Sequence, residues 1–180
     1  PEVVAEVGFT CDVILPASHD TGSAYMAVPA RDGQAAYLSS GTWSLLGTEL
    51  DEPVATEKAR RSGFTNEGGY QGKIRLLRNI MGLWMLQCIR REENERYSFA
   101  EMAELALQGA GYPYTVDAMD NRFLAPENMT AEIRAALREA GEPEPASLPE
   151  LLACVNRSLA KCYADGIREL SALTGKKYTS

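Results

Sequence analysis

Gln34-Ala35-Ala36-Tyr37-Leu38-Ser39-Ser40-Gly41-Thr42-Trp43-Ser44-Leu45-Leu46-Gly47-Thr48-Glu49-Leu50 is the stretch on which the fold class turns. Residues 34–39 and 43–50 are two β-prone runs, and Ser40-Gly41-Thr42 joins them at hairpin spacing with Gly at the turn. Downstream, residues 51–63 are charged and contain Pro53, which suits a loop or a short helix. Residues 73–78 read as a further strand, introduced by Gly68-Gly69-Tyr70-Gln71-Gly72. Upstream, residues 3–7 and 11–15 are short β-prone runs. The segment from Pro16 to Ala24 then reads as a strand end, a polar turn and a helix start from Ser23.

Beyond residue 79 the period changes to that of helices. Ile80, Leu83, Trp84 and Cys88 fall at helical spacing within residues 79–93. Ser98-Phe99-Ala100-Glu101 is a capping box opening a helix to about Gln108, stopped by Gly109-Ala110-Gly111. Residues 112–129, with Pro113 and Pro126, read as loop. Thr130 can cap a helix that ends at Gly141. Ser147-Leu148-Pro149-Glu150 is a second capping box, opening a long amphipathic helix that Gly175 ends. Strands, a hairpin, another strand and then helices define an α/β protein rather than an all-α or all-β one. The chain starts at Pro1 in a β-prone run and ends at Lys177-Tyr178-Thr179-Ser180, where another begins, so a piece of something longer is expected.

Composition narrows the function classes. The 180 residues carry 18 Lys+Arg against 25 Asp+Glu, a formal net charge of −7. A nucleic-acid binder neutralises phosphates with clustered cations, and the dense basic spots here are only Lys58-Ala59-Arg60-Arg61 and Lys176-Lys177. No apolar run approaches the roughly 18 residues that a membrane span needs, and no signal-peptide pattern is visible. Partners are therefore expected to be neither nucleic acid nor membrane. Cys11, Cys88, Cys154 and Cys162 include no Cys-x-x-Cys pair, and with a single His a zinc cluster is not expected. They read as small buried hydrophobes in a reducing compartment, and a cytoplasmic location is expected.

No phosphate-loop, dinucleotide-binding or nucleophile-elbow motif is present. Two segments remain. Ser18-His19-Asp20-Thr21-Gly22-Ser23 places a carboxylate after a strand in a Gly-containing turn, where Asp20 is either a general base or a helix cap. Its Asp-Thr-Gly also matches aspartic proteases, but those need two such carboxylates and this chain has one copy. The turn Ser40-Gly41-Thr42 is either an ordinary hairpin turn or a concavity of backbone N–H groups able to hold a phosphate. A base and an anion-holding turn, each at a strand end, together suit phosphoryl transfer to a hydroxyl. A non-catalytic binding or assembly module, using the long helix 148–173 as its surface, is the alternative of a different class.

Ala17-Ser18-His19-Asp20-Thr21, then Tyr37-Leu38-Ser39-Ser40-Gly41-Thr42-Trp43-Ser44, Thr65-Asn66-Glu67-Gly68-Gly69 and Leu77-Arg78-Asn79-Ile80-Met81-Gly82-Leu83-Trp84-Met85-Leu86-Gln87 follow in order. In these motifs, and over essentially its whole length, the chain resembles the FGGY carbohydrate kinases, and among them the branch acting on L-rhamnulose. The resemblance implies an α/β, actin-like and ribonuclease-H-like sugar-kinase fold with a mixed sheet and packed helices. Residues 1–30 would end the first lobe. Residues 31–180, with the helical segment 79–175, would begin an incomplete second lobe. It also implies transfer of the ATP γ-phosphoryl group to the 1-hydroxyl of L-rhamnulose with Mg²⁺, or to another ketose in a related kinase. Asp20 would be the general base, with His19, Thr21 and Asn79 on the sugar. Gly41, Thr42 and Gln87 would face ATP, and no residue here would ligate a metal. The family's first phosphate-binding turn, its Mg²⁺-positioning acid and its adenine-binding turn would lie outside the chain, so the chain alone is expected to be inactive.

Overall fold

A computed structural model of the chain describes residues 2–12, 19–30 and 33–178. In chain order the elements are α1 (Glu2–Val7), α2 (Asp20–Ala27), β1 (Tyr37–Ser40), β2 (Ser44–Leu50), α3 (Glu57–Arg61), β3 (Thr65–Gly68), β4 (Ile74–Ile80), α4 (Trp84–Glu92), α5 (Phe99–Gln108), α6 (Met129–Glu139) and α7 (Leu148–Thr174). The strands form one sheet in the order β1-β2-β4-β3. All its pairings among the described residues are antiparallel. The expected hairpin is present, with Tyr37 opposite Gly47 and Ser40 opposite Ser44.

The central strand β4 is buried at four consecutive positions, Arg75 to Arg78. A strand covered on one face alternates, whereas one covered on both reads as a continuous run. One face meets α7. Tyr163 on that helix shares a 2.7 Å hydrogen bond with Ser44, and a Cβ at Gly166 would come within 2.4 Å of the Leu46 side chain. The other face meets α2, where the rings of Tyr25 and Tyr37 stack at 4.4 Å. The main core lies among the helices and includes Met85, Ile89, Phe123, Met129, Ile133, Leu137, Leu152 and Val155. A smaller cluster of Ala59, Phe64, Leu76 and Leu170 closes the sheet's far end.

Local signals in the helical part hold. Ser98 and Glu101 form the reciprocal capping box. Ser147 caps α7, Pro149 sits in its first turn, and Gly175 closes it with φ +71°. The second box is only half built, because the Glu150 carboxylate takes the N–H of Ala146 rather than that of Ser147. The cap of α6 is Asn128, not Thr130, whose N–H and hydroxyl are both held by Glu92.

Five readings change. Residues 3–7 are helix, not strand: among the described residues no strand lies beside them, so the backbone closes its bonds locally, ending with Gly8 N–H on Val4 C=O at 3.1 Å. The 11–15 run is coil at Cys11 and Asp12, and its remainder lies outside the described residues. Asn79 and Ile80 belong to β4, opposite Leu45 and Ser44, and the helix begins only at Trp84. A ladder with β2 claims these two residues before the helix can, and Gly82 at φ +59° breaks the chain direction between them. Residues 65–68, to which the sequence assigns no element, form β3. Its Thr65-Asn66-Glu67-Gly68 sequence has little strand propensity and is held by pairing to β4. The possible helix start at Ser23 moves forward to Asp20, with His19 as the N-cap.

Candidate functional site

The structure sorts the expected site residues into two groups and one isolated side chain. The first group is the 41–43 turn with the start of α4. Gly41 C=O accepts the N–H of Leu83 and Thr42 C=O that of Trp84, both at 3.0 Å. The first N–H groups of a helix need acceptors. Leu83 has no side chain to cap with, so the hairpin turn itself serves as the cap. Gly82 permits this close approach, since a Cβ there would lie 2.6 Å from Ser44 N and 2.8 Å from Thr42 O. One turn into α4, Gln87 Nε2 donates to Thr42 Oγ1 at 3.1 Å. Thr42 and Gln87, both expected to face ATP, are thus in direct contact. The Gly41 N–H is taken by Trp43 C=O at 3.0 Å. What the turn presents is the Thr42 hydroxyl, which accepts from Gln87 and keeps its own proton to donate.

The second group is the start of α2. Thr21 N–H points at Asp20 Oδ1 (2.7 Å) and His19 Nδ1 (3.3 Å). His19 Nδ1 also lies 2.7 Å from Thr21 Oγ1 and 2.9 Å from Asp20 Oδ1. A proton on Nδ1 is shared between those two oxygens, and a bare Nδ1 takes the Thr21 hydroxyl. The Asp20 side chain is 91% exposed, so the carboxylate opens to solvent despite its inward bond. The cap reading of Asp20 is met only in part: His19 is the formal cap, while Asp20 also satisfies a first-turn N–H.

This turn is fastened to the sheet through Arg75, which is 2% exposed. Its guanidinium donates to Thr21 Oγ1 (2.8 Å), to Glu67 Oε2 (3.0 Å) and to Gly68 C=O (3.2 Å). It also lies over the Tyr25 ring at 5.8 Å. Burial, opposed by the Arg75 charge, pushes the Tyr25 phenol well above its usual range, and burial also raises Tyr37. The Tyr25 hydroxyl is buried and has no hydrogen-bond partner among the described residues.

Asn79 stands alone. It is exposed, near the end of β4 that meets the 41–43 turn, and opposite Leu45. It shares the sheet face of Arg75 but lies four residues along the strand, a rise of about 13 Å. Among the described residues no hydrogen bond joins the 19–21 group to Thr42, Gln87 or Asn79. Nor do those residues contain a cluster of three His, Cys, Asp or Glu able to hold a metal ion.

Arg75, Glu67 and Gly82 escaped the sequence reading as parts of the site. A signal for Arg75 existed: Ile74-Arg75-Leu76-Leu77-Arg78 sets two cations in an apolar strand, and a buried Arg requires acceptors. Arg78 fits the same rule on the other face, pairing with Glu169 at 2.5 Å and donating to Cys162 C=O at 3.2 Å. All four cysteines are free. Burial pushes the Cys154 thiol up to about 11, so it behaves as a small hydrophobe.

An α/β sheet packed against helices thus carries a turn-and-helix notch and a carboxylate-bearing turn. Residues 36–180 match the model of the FGGY family of carbohydrate kinases, C-terminal domain, and the chain belongs to that family. Among its relatives it is 48% identical over 179 residues to a rhamnulokinase of Halalkalibacterium halodurans, covering 99% of this chain and 38% of that protein. It is 46% identical over 173 residues to the rhamnulokinase of Oceanobacillus iheyensis, covering 96% and 36%. It is 45% identical over 170 residues to that of Klebsiella pneumoniae subsp. pneumoniae, covering 93% and 34%. The chain thus spans little more than a third of the length of these relatives. No helix among the described residues is long and apolar enough to cross a membrane.

Proposed function

We propose that this chain is part of an L-rhamnulose kinase, in which residues 1–30 end the first lobe and residues 31–180 begin the second. The observation that carries the reading is the 48% identity to a rhamnulokinase over almost every residue of the chain. Its substrates are L-rhamnulose and ATP, and the setting is cytoplasmic. The 1-hydroxyl oxygen of the sugar attacks the γ-phosphorus in line. Its proton passes to the Asp20 carboxylate, and the β–γ bridging oxygen leaves with ADP. His19, Thr21 and Asn79 bind the sugar. The Thr42 turn with Gly41 and the Gln87 side chain face the nucleotide, the Thr42 hydroxyl donating to a phosphate oxygen. Mg²⁺ would accompany ATP and offset the charge of its phosphates.

The test is ADP release from ATP·Mg²⁺ with and without L-rhamnulose, by a polypeptide of the relatives' full length that carries this chain. Sugar-dependent release is expected. Asp20→Asn should reduce it by about 10²–10⁴-fold, the usual worth of a positioned base. A loss under about tenfold would remove Asp20 from the role. A response to a different ketose, with none to L-rhamnulose, would move the chain to a neighbouring kinase of the family.

A further inference from the structure

We propose that Arg75 is a positioning residue, whose guanidinium holds Thr21 Oγ1 and thereby sets the Asp20 carboxylate in place on the sheet. The inference rests on the reading of Asp20 as the base. Three observations carry it. Arg75 is fully buried, yet two of its acceptors, Glu67 and Gly68, belong to the neighbouring strand β3, while the third is the Thr21 hydroxyl on α2. The strand pair therefore aims the guanidinium, and the free Nη1 end is what α2 docks on. The docking contacts of α2 fall at Thr21 and Tyr25, four residues apart on one helical face, and both meet Arg75. Finally, Thr21 is the residue through which the turn is internally tied. Its N–H holds Asp20 Oδ1 at 2.7 Å, and its hydroxyl lies 2.7 Å from His19 Nδ1. Moving Thr21 moves the carboxylate and the imidazole together.

An ordinary structural cation can be replaced by another cation. A positioning fork cannot, because Lys lacks the planar set of donors that reaches three acceptors in three directions. In the full-length kinase, Arg75→Met and Arg75→Lys are both expected to lower kcat about 10- to 100-fold, the scale of a small displacement of a reacting group, with KM for ATP unchanged. Thr21→Val, which on this reading also loses a sugar contact, should cost at least as much, and the Arg75→Met/Thr21→Val double variant should cost no more than Thr21→Val alone, since Arg75 acts through that hydroxyl.

A second readout does not depend on activity. His19 is the only histidine of this chain, and in the full-length kinase its imidazole ¹⁵N resonances are identified by their loss in His19→Gln. Arg75→Met should shift them although it lies outside hydrogen-bond reach of the ring. Should Arg75→Met fail to fold, Arg75→Lys keeps a cation in the strand, and the same shift is expected there. Full recovery of kcat by Arg75→Lys overturns the inference. So do additive effects of Arg75→Met and Thr21→Val, or unmoved His19 resonances in a folded variant. If Asp20→Asn is inactive while Arg75→Met turns over normally, the inference fails alone. If Asp20→Asn turns over normally, the base reading beneath it fails.

Discussion

The 41–43 turn and the 19–21 turn each meet the first turn of a helix, and they are held there by different physics. The first is fixed by backbone. Two carbonyls of the hairpin cap α4, and a glycine allows the chains to approach closely enough to do so. The second is fixed by side chains. One buried guanidinium and one pair of stacked rings dock α2 on the sheet. A backbone clamp tolerates changes in its polar side chains and fails when its glycine changes. A side-chain clamp is the reverse, and it can carry unsatisfied groups that a backbone clamp does not. The difference suits the two proposed tasks: a phosphate-facing notch needs one rigid shape, and a base needs one correctly placed carboxylate.

The largest effect expected from breaking this contrast is at Gly82. Gly82→Ala forces a side chain into the left-handed region, at about 1–3 kcal/mol. Its Cβ also strikes Ser44 N and Thr42 O, for a similar overpacking cost. Urea unfolding should show a loss on the order of 3 kcal/mol, and a loss under about 1 kcal/mol would mean that the turn can relax. Next is Tyr25→Phe, which removes a buried hydroxyl without a partner among the described residues. Leaving such a group unsatisfied costs about 1–3 kcal/mol, so this variant should be more stable than the parent while keeping the ring stack. A destabilised Tyr25→Phe would show that the hydroxyl is satisfied in solution.

A purely local cap provides the reference for both clamps. Ser98→Ala should cost about 1 kcal/mol at neutral pH. The N–H and hydroxyl of Ser98 hold the Glu101 carboxyl below its ordinary range. A depressed carboxyl stabilises the fold above its unfolded pKa of about 4.3 and ceases to as the pH falls through the folded value. The melting-temperature gap between Ser98→Ala and the parent should therefore narrow as the pH is taken from neutral to below about 4. A gap constant with pH would remove the Glu101 carboxylate from the box. The smallest effect is expected at Gln87→Ala, which loses one exposed bond to Thr42. Its stability cost should be about 0.5 kcal/mol or less, at the low end for a single hydrogen bond. If the turn is backbone-clamped, nucleotide affinity should fall while unfolding hardly moves. A large stability loss would mean that the Gln87 side chain, not the backbone, holds the turn.

The hairpin, the strand before Asn79, the capping box at Ser98 and the long helix ended by Gly175 were all readable in sequence. Each depends on a signal a few residues long: a glycine turn, a Ser-x-x-Glu spacing, an apolar period. The misreadings are of another kind. Residues 3–7 have strand-like side chains but, among the described residues, no strand to pair with. Residues 65–68 have poor strand propensity but lie beside β4. Asn79 and Ile80 suit a helix yet pair with β2. In each case a partner distant in sequence decides the outcome, and local propensity differs by too little to resist it.

The candidate site divides in the same way. Sequence by itself singled out the residues proposed to bear the chemistry, because an Asp in a polar turn, a Ser-Gly-Thr hairpin and their order along the chain are properties of the chain alone. The family followed from them. Tertiary structure decided which of these residues meet. Thr42 touches Gln87 because the hairpin caps α4. Thr21, beside Asp20, meets Arg75, 54 positions later, because a buried guanidinium must find acceptors and Thr21 supplies one. Hydrogen-bond satisfaction within a closed core is a condition on the whole fold, and no short window of sequence contains it.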